Sequence, residues 1–192
     1  MEDLPAPCFL GPQSPNGLYA EKHDPFAYYD DVRSSAALCD HIQPLSTLTP
    51  MLAPGAPESA VPRFVWVTPN LCDDGHNCSA QTSGVWLTGF VNTVTASAAW
   101  REGGAMIVTW DEGATNAGID PATGALGSSG SGGNVLTLVI APGLRAGLQV
   151  DTRYDHYSLL RTIEDAFGLP LLGAAGDAST TPISAFWAPA SS

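Results

Sequence analysis

The chain has 192 residues, 44% of them hydrophobic, enough for a sizeable core, and no run approaches the roughly 18 consecutive apolar residues of a membrane span. Seven Lys and Arg stand against nineteen Asp and Glu, a formal net charge of −12, so a nucleic-acid backbone would be repelled over most of the surface and nucleic-acid binding is disfavoured. With no internal repeat, the chain reads as a single domain made of a loop-rich wrapping segment (1–62), an α/β core (63–175) and a tail (176–192).

Residues 1–62 are rich in proline and short polar turns, with one short helix expected at 44–52. Glu2 and Asp3 stand where a signal peptide would carry a basic start and an apolar stretch. Phe64-Val65-Trp66-Val67-Thr68 has the composition of a strand and is closed by the turn signal Pro69-Asn70, which puts His76 in a loop after a strand. Over 84–100, Val85, Trp86, Leu87, Phe90, Val91, Val94 and Ala98 fall on roughly one face, which predicts a helix packed on a sheet. Gly103-Gly104 turns the chain into an apolar, β-branched strand at 105–110, released into Asp111-Glu112. Residues 119–133 are Gly- and Ser-rich and read as a mobile loop, either a lid over substrate or a solvated connection. A third strand covers 134–142 and ends at Pro142. A helix then starts at Asp155 or His156, with Leu159, Leu160, Ile163 and Phe167 on its apolar face, and stops at Gly168. From Asp177 the chain reads as a loosely held tail anchored by Phe186 and Trp187. Buried strands alternating with amphipathic helices argue for a layered α/β sandwich with its site loops at one sheet edge.

Chemistry concentrates in a few places. Asp111 and Glu112 repel each other, so a hard divalent cation or a shared proton is needed to neutralise them, and the end of a strand is where open α/β sheets place ligands. The plain alternative is a strand ending in a solvated acidic turn. Three of the four histidines, His23, His76 and His156, lie in acid-flanked segments, although a single histidine is more often a surface or core residue than a ligand. Four cysteines, an even number, suggest two bridges: Cys72 with Cys78 across the Asp73-Asp74-Gly75-His76 loop, and Cys8 with Cys39 around Lys22-His23. Such bridges would order these loops and imply an oxidising compartment. Reduced thiols, or a zinc site built from Cys72, His76 and Cys78, are the alternatives, and the spacing lacks the Cys-x-x-Cys pairs of structural zinc sites.

Four segments in order carry a resemblance: Tyr19-Ala20-Glu21-Lys22-His23-Asp24-Pro25-Phe26; Thr68-Pro69-Asn70 with Asp73-Asp74-Gly75-His76; Thr109-Trp110-Asp111-Glu112; and Asp155-His156-Tyr157-Ser158 running on to Glu164. Together they resemble the motifs of the phosphoesterase family, which includes bacterial phospholipases C and secreted acid phosphatases within the alkaline phosphatase superfamily; the likeness covers roughly residues 1–175. The resemblance implies an alkaline-phosphatase-like sandwich with a mainly parallel central sheet. It also implies phosphate-ester hydrolysis at a divalent-metal centre (Ca, Mg, Mn, Zn or Fe) through a Ser or Thr phosphoryl-enzyme. By motif, Asp111 and Glu112 match the metal-binding acidic pair, His76 and His23 line the phosphate pocket with Lys22 beside them, and His156 either touches the site or caps its helix. One departure is large: the family's Glu-Asn metal pair and its nucleophile lie in an N-terminal half, and no Glu-Asn pair occurs in these 192 residues. The sequence therefore reads as the C-terminal portion of such an enzyme, with the nucleophile and any signal peptide of a secreted or cell-envelope protein in the missing part.

The chemistry holds without the family. Charge on the equatorial phosphoryl oxygens calls for cations and hydrogen-bond donors, and a histidine can protonate an alkoxide leaving group. The histidine motifs resemble more closely those of the family's secreted acid-phosphatase-like members, a resemblance that favours a phosphomonoesterase over a phospholipase C-type diesterase, and a non-catalytic remnant is the third reading. A Ser-His-Asp hydrolase built from Asp155, His156 and Ser158 lacks a Gly-x-Ser-x-Gly elbow. The glycine cluster at 127–133 lacks a Gly-Lys-Ser/Thr ending and precedes a strand, which excludes a P-loop. The oligomeric state has no sequence signature here.

Overall fold

A computed structural model describes residues 1–113 and 133–186. The glycine-rich segment before Gly133 and the expected anchor Trp187 lie outside the described residues. The chain forms two compact units, Met1–Gly104 and Ala105–Ser192.

The first unit is held by a small core of Met1, Leu4, Tyr19, Ala27, Cys39 and Ile42, with Cys8, Phe9, Leu10, Phe26 and Val32 packed around it. As the prolines suggest, short pieces wrap this core: 3-10 turns at Glu21–His23 and Pro25–Tyr28, and helices α1 (Asp30–Ser34), α2 (Ala36–Cys39) and α3 (Leu45–Met51), the last where a short helix was expected. The Cys8–Cys39 disulfide ties the opening loop to α2, with the two Cα atoms 5.0 Å apart. The predicted long helix is present as α4, Ala80–Thr95, capped by the Ser79 hydroxyl, which accepts from the Thr82 N–H. It ends before Ala98 because Ser97 caps a separate short helix, α5 (Ala98–Arg101).

In the second unit, β1 (Met106–Val108) and β2 (Leu138–Ile140) pair antiparallel, Ile107 opposite Val139. Across the pair, the Thr109 and Thr137 hydroxyls meet at 2.9 Å. Helix α6 (His156–Phe167) begins with a reciprocal capping box: Asp155 accepts from the Ser158 N–H, and the Ser158 hydroxyl accepts from the Asp155 N–H. It stops at Gly168, whose φ of +63° is the left-handed conformation a helix end favours.

Several expectations are corrected. The mainly parallel central sheet does not form among the described residues; their one sheet is two-stranded and antiparallel. The segment 64–68 is not a strand, and Phe64, Val65 and Trp66 are exposed, Phe64 by 45%. The reason is physical: composition fixes that a segment can be extended, whereas a strand requires a continuous ladder with a neighbour. The buried residues of α6 are Ser158 and Glu164, with Leu159, Leu160 and Ile163 half-buried and Phe167 exposed. Ser158 is consumed by the cap, and Glu164 Oε1 accepts the Leu172 N–H at 3.1 Å. Nor is the tail loose as far as Ile183, which is buried. Arg161 Nη1 donates to the carbonyl oxygens of Asp177 and Thr180, and the Ile183 N–H donates to Thr162 Oγ1 at 2.7 Å.

Candidate functional site

In the first unit, Lys22-His23 occupies a single 3-10 turn. Lys22 points to solvent, while His23 is half-buried. The turn is fixed from two sides: the His23 N–H donates to the Ala20 carbonyl, and Thr68 Oγ1 donates to the His23 carbonyl at 3.2 Å. The expected strand thus serves this site through its last residue.

The second histidine sits on a loop closed by the Cys72–Cys78 disulfide, Cα to Cα 4.6 Å. Both predicted bridges are formed and no described cysteine is free, so the zinc alternative using Cys72, His76 and Cys78 is withdrawn: disulfide sulfurs are no thiolate ligands. Asn70 governs the start of this loop. Its Oδ1 accepts from the N–H groups of Cys72 and Asp73, both at 2.9 Å, as an asparagine-initiated turn requires. Its Nδ2 donates to Asp3 Oδ2, and its own N–H donates to Glu2 Oε2. Gly75 takes φ +92°, a conformation that disfavours any side chain.

Asp74 joins the two histidines. Its Oδ1 accepts the His76 N–H at 2.7 Å, and its Oδ2 accepts from His23 Nδ1 at 3.0 Å. The His23 and His76 rings meet edge to face, 5.4 Å between centroids. His76 Nδ1 lies 2.7 Å from Asn77 Oδ1, an amide oxygen, to which it donates. Two imidazoles are therefore held side by side, each with Nδ1 occupied, an arrangement suited to presenting donors to an anion.

Next to this cluster, Asp24 is buried to 1% exposure, and neither of its carboxylate oxygens makes a well-formed hydrogen bond. Burial pushes its pKa up, opposed by the Met1 ammonium, the backbone N–H groups of Phe26 and Ala27, and the Tyr19 hydroxyl. The Tyr19 phenol is itself pushed up, mainly by burial and then by the charge of Asp24. Burial likewise raises Glu2, although it accepts from the Asn70 N–H and from Trp86 Nε1.

In the second unit, the acidic pair follows β1 as expected, and Asp111 and Glu112 are both exposed. The Glu112 N–H donates to Asp111 Oδ1 at 3.0 Å. His156 does not cap α6; Asp155 does. The His156 ring instead donates from Nε2 to the Asp111 carbonyl at 2.7 Å, so the first residue of α6 holds the turn that carries the acids. Two adjacent carboxylates offer the hard oxygen donors that Ca, Mg or Mn prefer, and they fit such an ion as part of a donor set that needs about six oxygens. Among the described residues, no group of three or more His, Cys, Asp or Glu side chains gathers to hold a metal.

The sequence reading singled out His23, His76 and His156 but missed Asp74, Asn70 and Thr68 as working parts. The signal was available for Asn70, an asparagine two residues before a disulfide loop. For Asp74 it was not, since adjacent Asp73 and Asp74 look alike in sequence and only the fold turns one of them toward His23.

The sequence profile of the phosphoesterase family matches residues 5–170. The chain belongs to the phosphoesterase family. It is similar to an acid phosphatase of Aspergillus niger, 26% identical over 178 residues, 90% of this chain and 39% of that protein. A probable acid phosphatase of Kluyveromyces lactis is 27% identical over 166 residues, 86% of this chain and 36% of that protein. A phosphatidylinositol-3-phosphatase of Mycobacterium tuberculosis is 29% identical over 175 residues, 89% of this chain and 48% of that protein. The chain thus spans less than half the length of these curated relatives. No solved structure matches it. No helix among the described residues is long and apolar enough to cross a membrane.

Proposed function

We propose that the protein to which this chain belongs hydrolyses phosphate monoesters in the manner of an acid phosphatase, and that this chain supplies its phosphate-binding histidines and part of a divalent-cation site. The observation that carries this is the His23–Asp74–His76 cluster, two imidazoles gathered by one carboxylate on a disulfide-closed loop of a phosphoesterase-family chain. A monoester is preferred to a phospholipase C-type diester because the three relatives are named phosphatases.

In this reading His23 and His76 take hold of the phosphoryl oxygens, and Lys22 adds a positive charge at the mouth. Asp111 and Glu112 would hold a hard divalent cation, which when bound supplies neutralisation of phosphoryl charge. His156 keeps that acidic turn in place through the Asp111 carbonyl. The hydroxyl nucleophile is assigned to residues outside this chain. Two disulfides suit an oxidising, extracellular or envelope compartment.

Inorganic phosphate titrated into the isotopically labelled chain is expected to move the ring signals of His23 and His76 together, leaving exposed His41 unmoved. Equal response of all three rings, or none, refutes the phosphate site. Metal-dependent p-nitrophenol release from p-nitrophenyl phosphate, compared between this chain and a longer form carrying a nucleophile, separates an enzyme from a non-catalytic remnant.

A further inference from the structure

We infer that Asp74 is a positioning residue that fixes the tautomer of His23, making His23 Nε2 the proton-transfer atom of the site and leaving His76 as a phosphate donor. This rests on the phosphatase reading above and divides two histidines that the reading treats alike.

The division comes from what each Nδ1 touches. An ionised carboxylate oxygen can only accept, so the contact of His23 Nδ1 with Asp74 Oδ2 places a hydrogen on Nδ1 and leaves Nε2 to exchange its own. With Nδ1 held in this way, Nε2 is the ring atom from which His23 can pass a proton to a leaving oxygen. His76 has a neutral partner at Nδ1, the Asn77 amide oxygen. Asp74 is well placed to do this reliably. The same carboxylate is anchored through Oδ1 to the His76 N–H, its loop is closed by Cys72–Cys78, and Asn70 fixes the turn before it. The side chains of the pair are 22% and 14% exposed, shielded enough for the hydrogen bond to persist. In the reaction, a hydroxyl nucleophile attacks phosphorus and gives its proton to solvent. The P–O bond to the leaving group breaks with its electron pair on the leaving oxygen. That oxygen takes the proton from His23 Nε2 and departs as an alcohol, and the imidazole is left neutral with its hydrogen on Nδ1.

The test is nitrogen-15 NMR of the histidine rings, with inorganic phosphate as the probe. At about pH 9, where imidazoles are ordinarily neutral, wild-type His23 should carry its hydrogen on Nδ1. Asp74→Ala should reverse this to the Nε2–H form that free imidazole prefers, and Asp74→Asn, whose amide oxygen still accepts, should restore it. An Nε2–H ring in the wild-type chain, or no change in Asp74→Ala, overturns the inference. Bound phosphate should perturb Nε2 of His23 in the wild type, and at least fivefold more phosphate should be needed in Asp74→Ala. If the tautomer follows Asp74 while phosphate moves neither ring, the phosphatase reading fails and the positioning role of Asp74 stands. Conserved dispersion of the Cys72–Cys78 loop amide signals in each variant shows that the loop is intact.

Discussion

Separate removal of the two disulfides should destabilise the first unit unequally, in an order set by the length of chain each encloses. Cys8 and Cys39 are 31 residues apart, Cys72 and Cys78 only six. With the loop-closure entropy of a cross-linked unfolded chain, the first bridge is worth about 3.7 kcal/mol and the second about 2.2 kcal/mol at 25 °C. Packing widens the gap, because Cys39 is 1% exposed and belongs to the core with Ile42 and Tyr19, whereas Cys78 lies at the surface. Urea unfolding of Cys8→Ala/Cys39→Ala and Cys72→Ala/Cys78→Ala, followed by tryptophan fluorescence, should show the larger loss for the first pair by at least about 1 kcal/mol. Opening the short loop should mainly reach function, loosening His76 and the Asp74 contact to His23. Equal losses, or a larger loss from the 72–78 bridge, would refute the argument that unfolded-chain entropy and core packing set the stability.

Three further outcomes follow from single residues. Asn70→Ala removes an acceptor from two loop N–H groups and a donor from Asp3, so thermal unfolding should report a loss of about 2 kcal/mol, with Asn70→Asp recovering only the two N–H contacts. Asp24 has a folded-state pKa raised by burial, so its contribution is fully present below its unfolded value and fades as pH rises through the folded one. Asp24→Asn should accordingly raise the melting temperature at pH 7 and gain progressively less toward pH 4; a gain independent of pH would mean that Asp24 is not the titrating group. Glu164 uses one oxygen on the Leu172 N–H and leaves Oε2 buried without a hydrogen-bond partner. Glu164→Gln should therefore be tolerated within about 1 kcal/mol, whereas Glu164→Ala, which strands the Leu172 N–H, should cost about 2 kcal/mol in chemical denaturation.

Local signals dictated the local structure of this protein. Asp155 and Ser158 make the capping box, Gly168 stops α6, Pro44 precedes α3, and the even cysteine count ends in the two bridges foreseen. Each of these is decided by residues a few positions apart, or, for the cysteines, by a bond that only another cysteine can complete. The tertiary structure decided what depends on distant partners. The segment 64–68 has the composition of a strand and yet is not one, because a strand needs a ladder with a second backbone. Glu164, polar by type, is buried because the Leu172 N–H turns back upon it, and Asp74 faces His23 across 51 residues while its neighbour Asp73 does not. Hydrogen bonds of that reach carry no periodicity to read, so the chain order names the histidines and only the folded chain says which carboxylate instructs them.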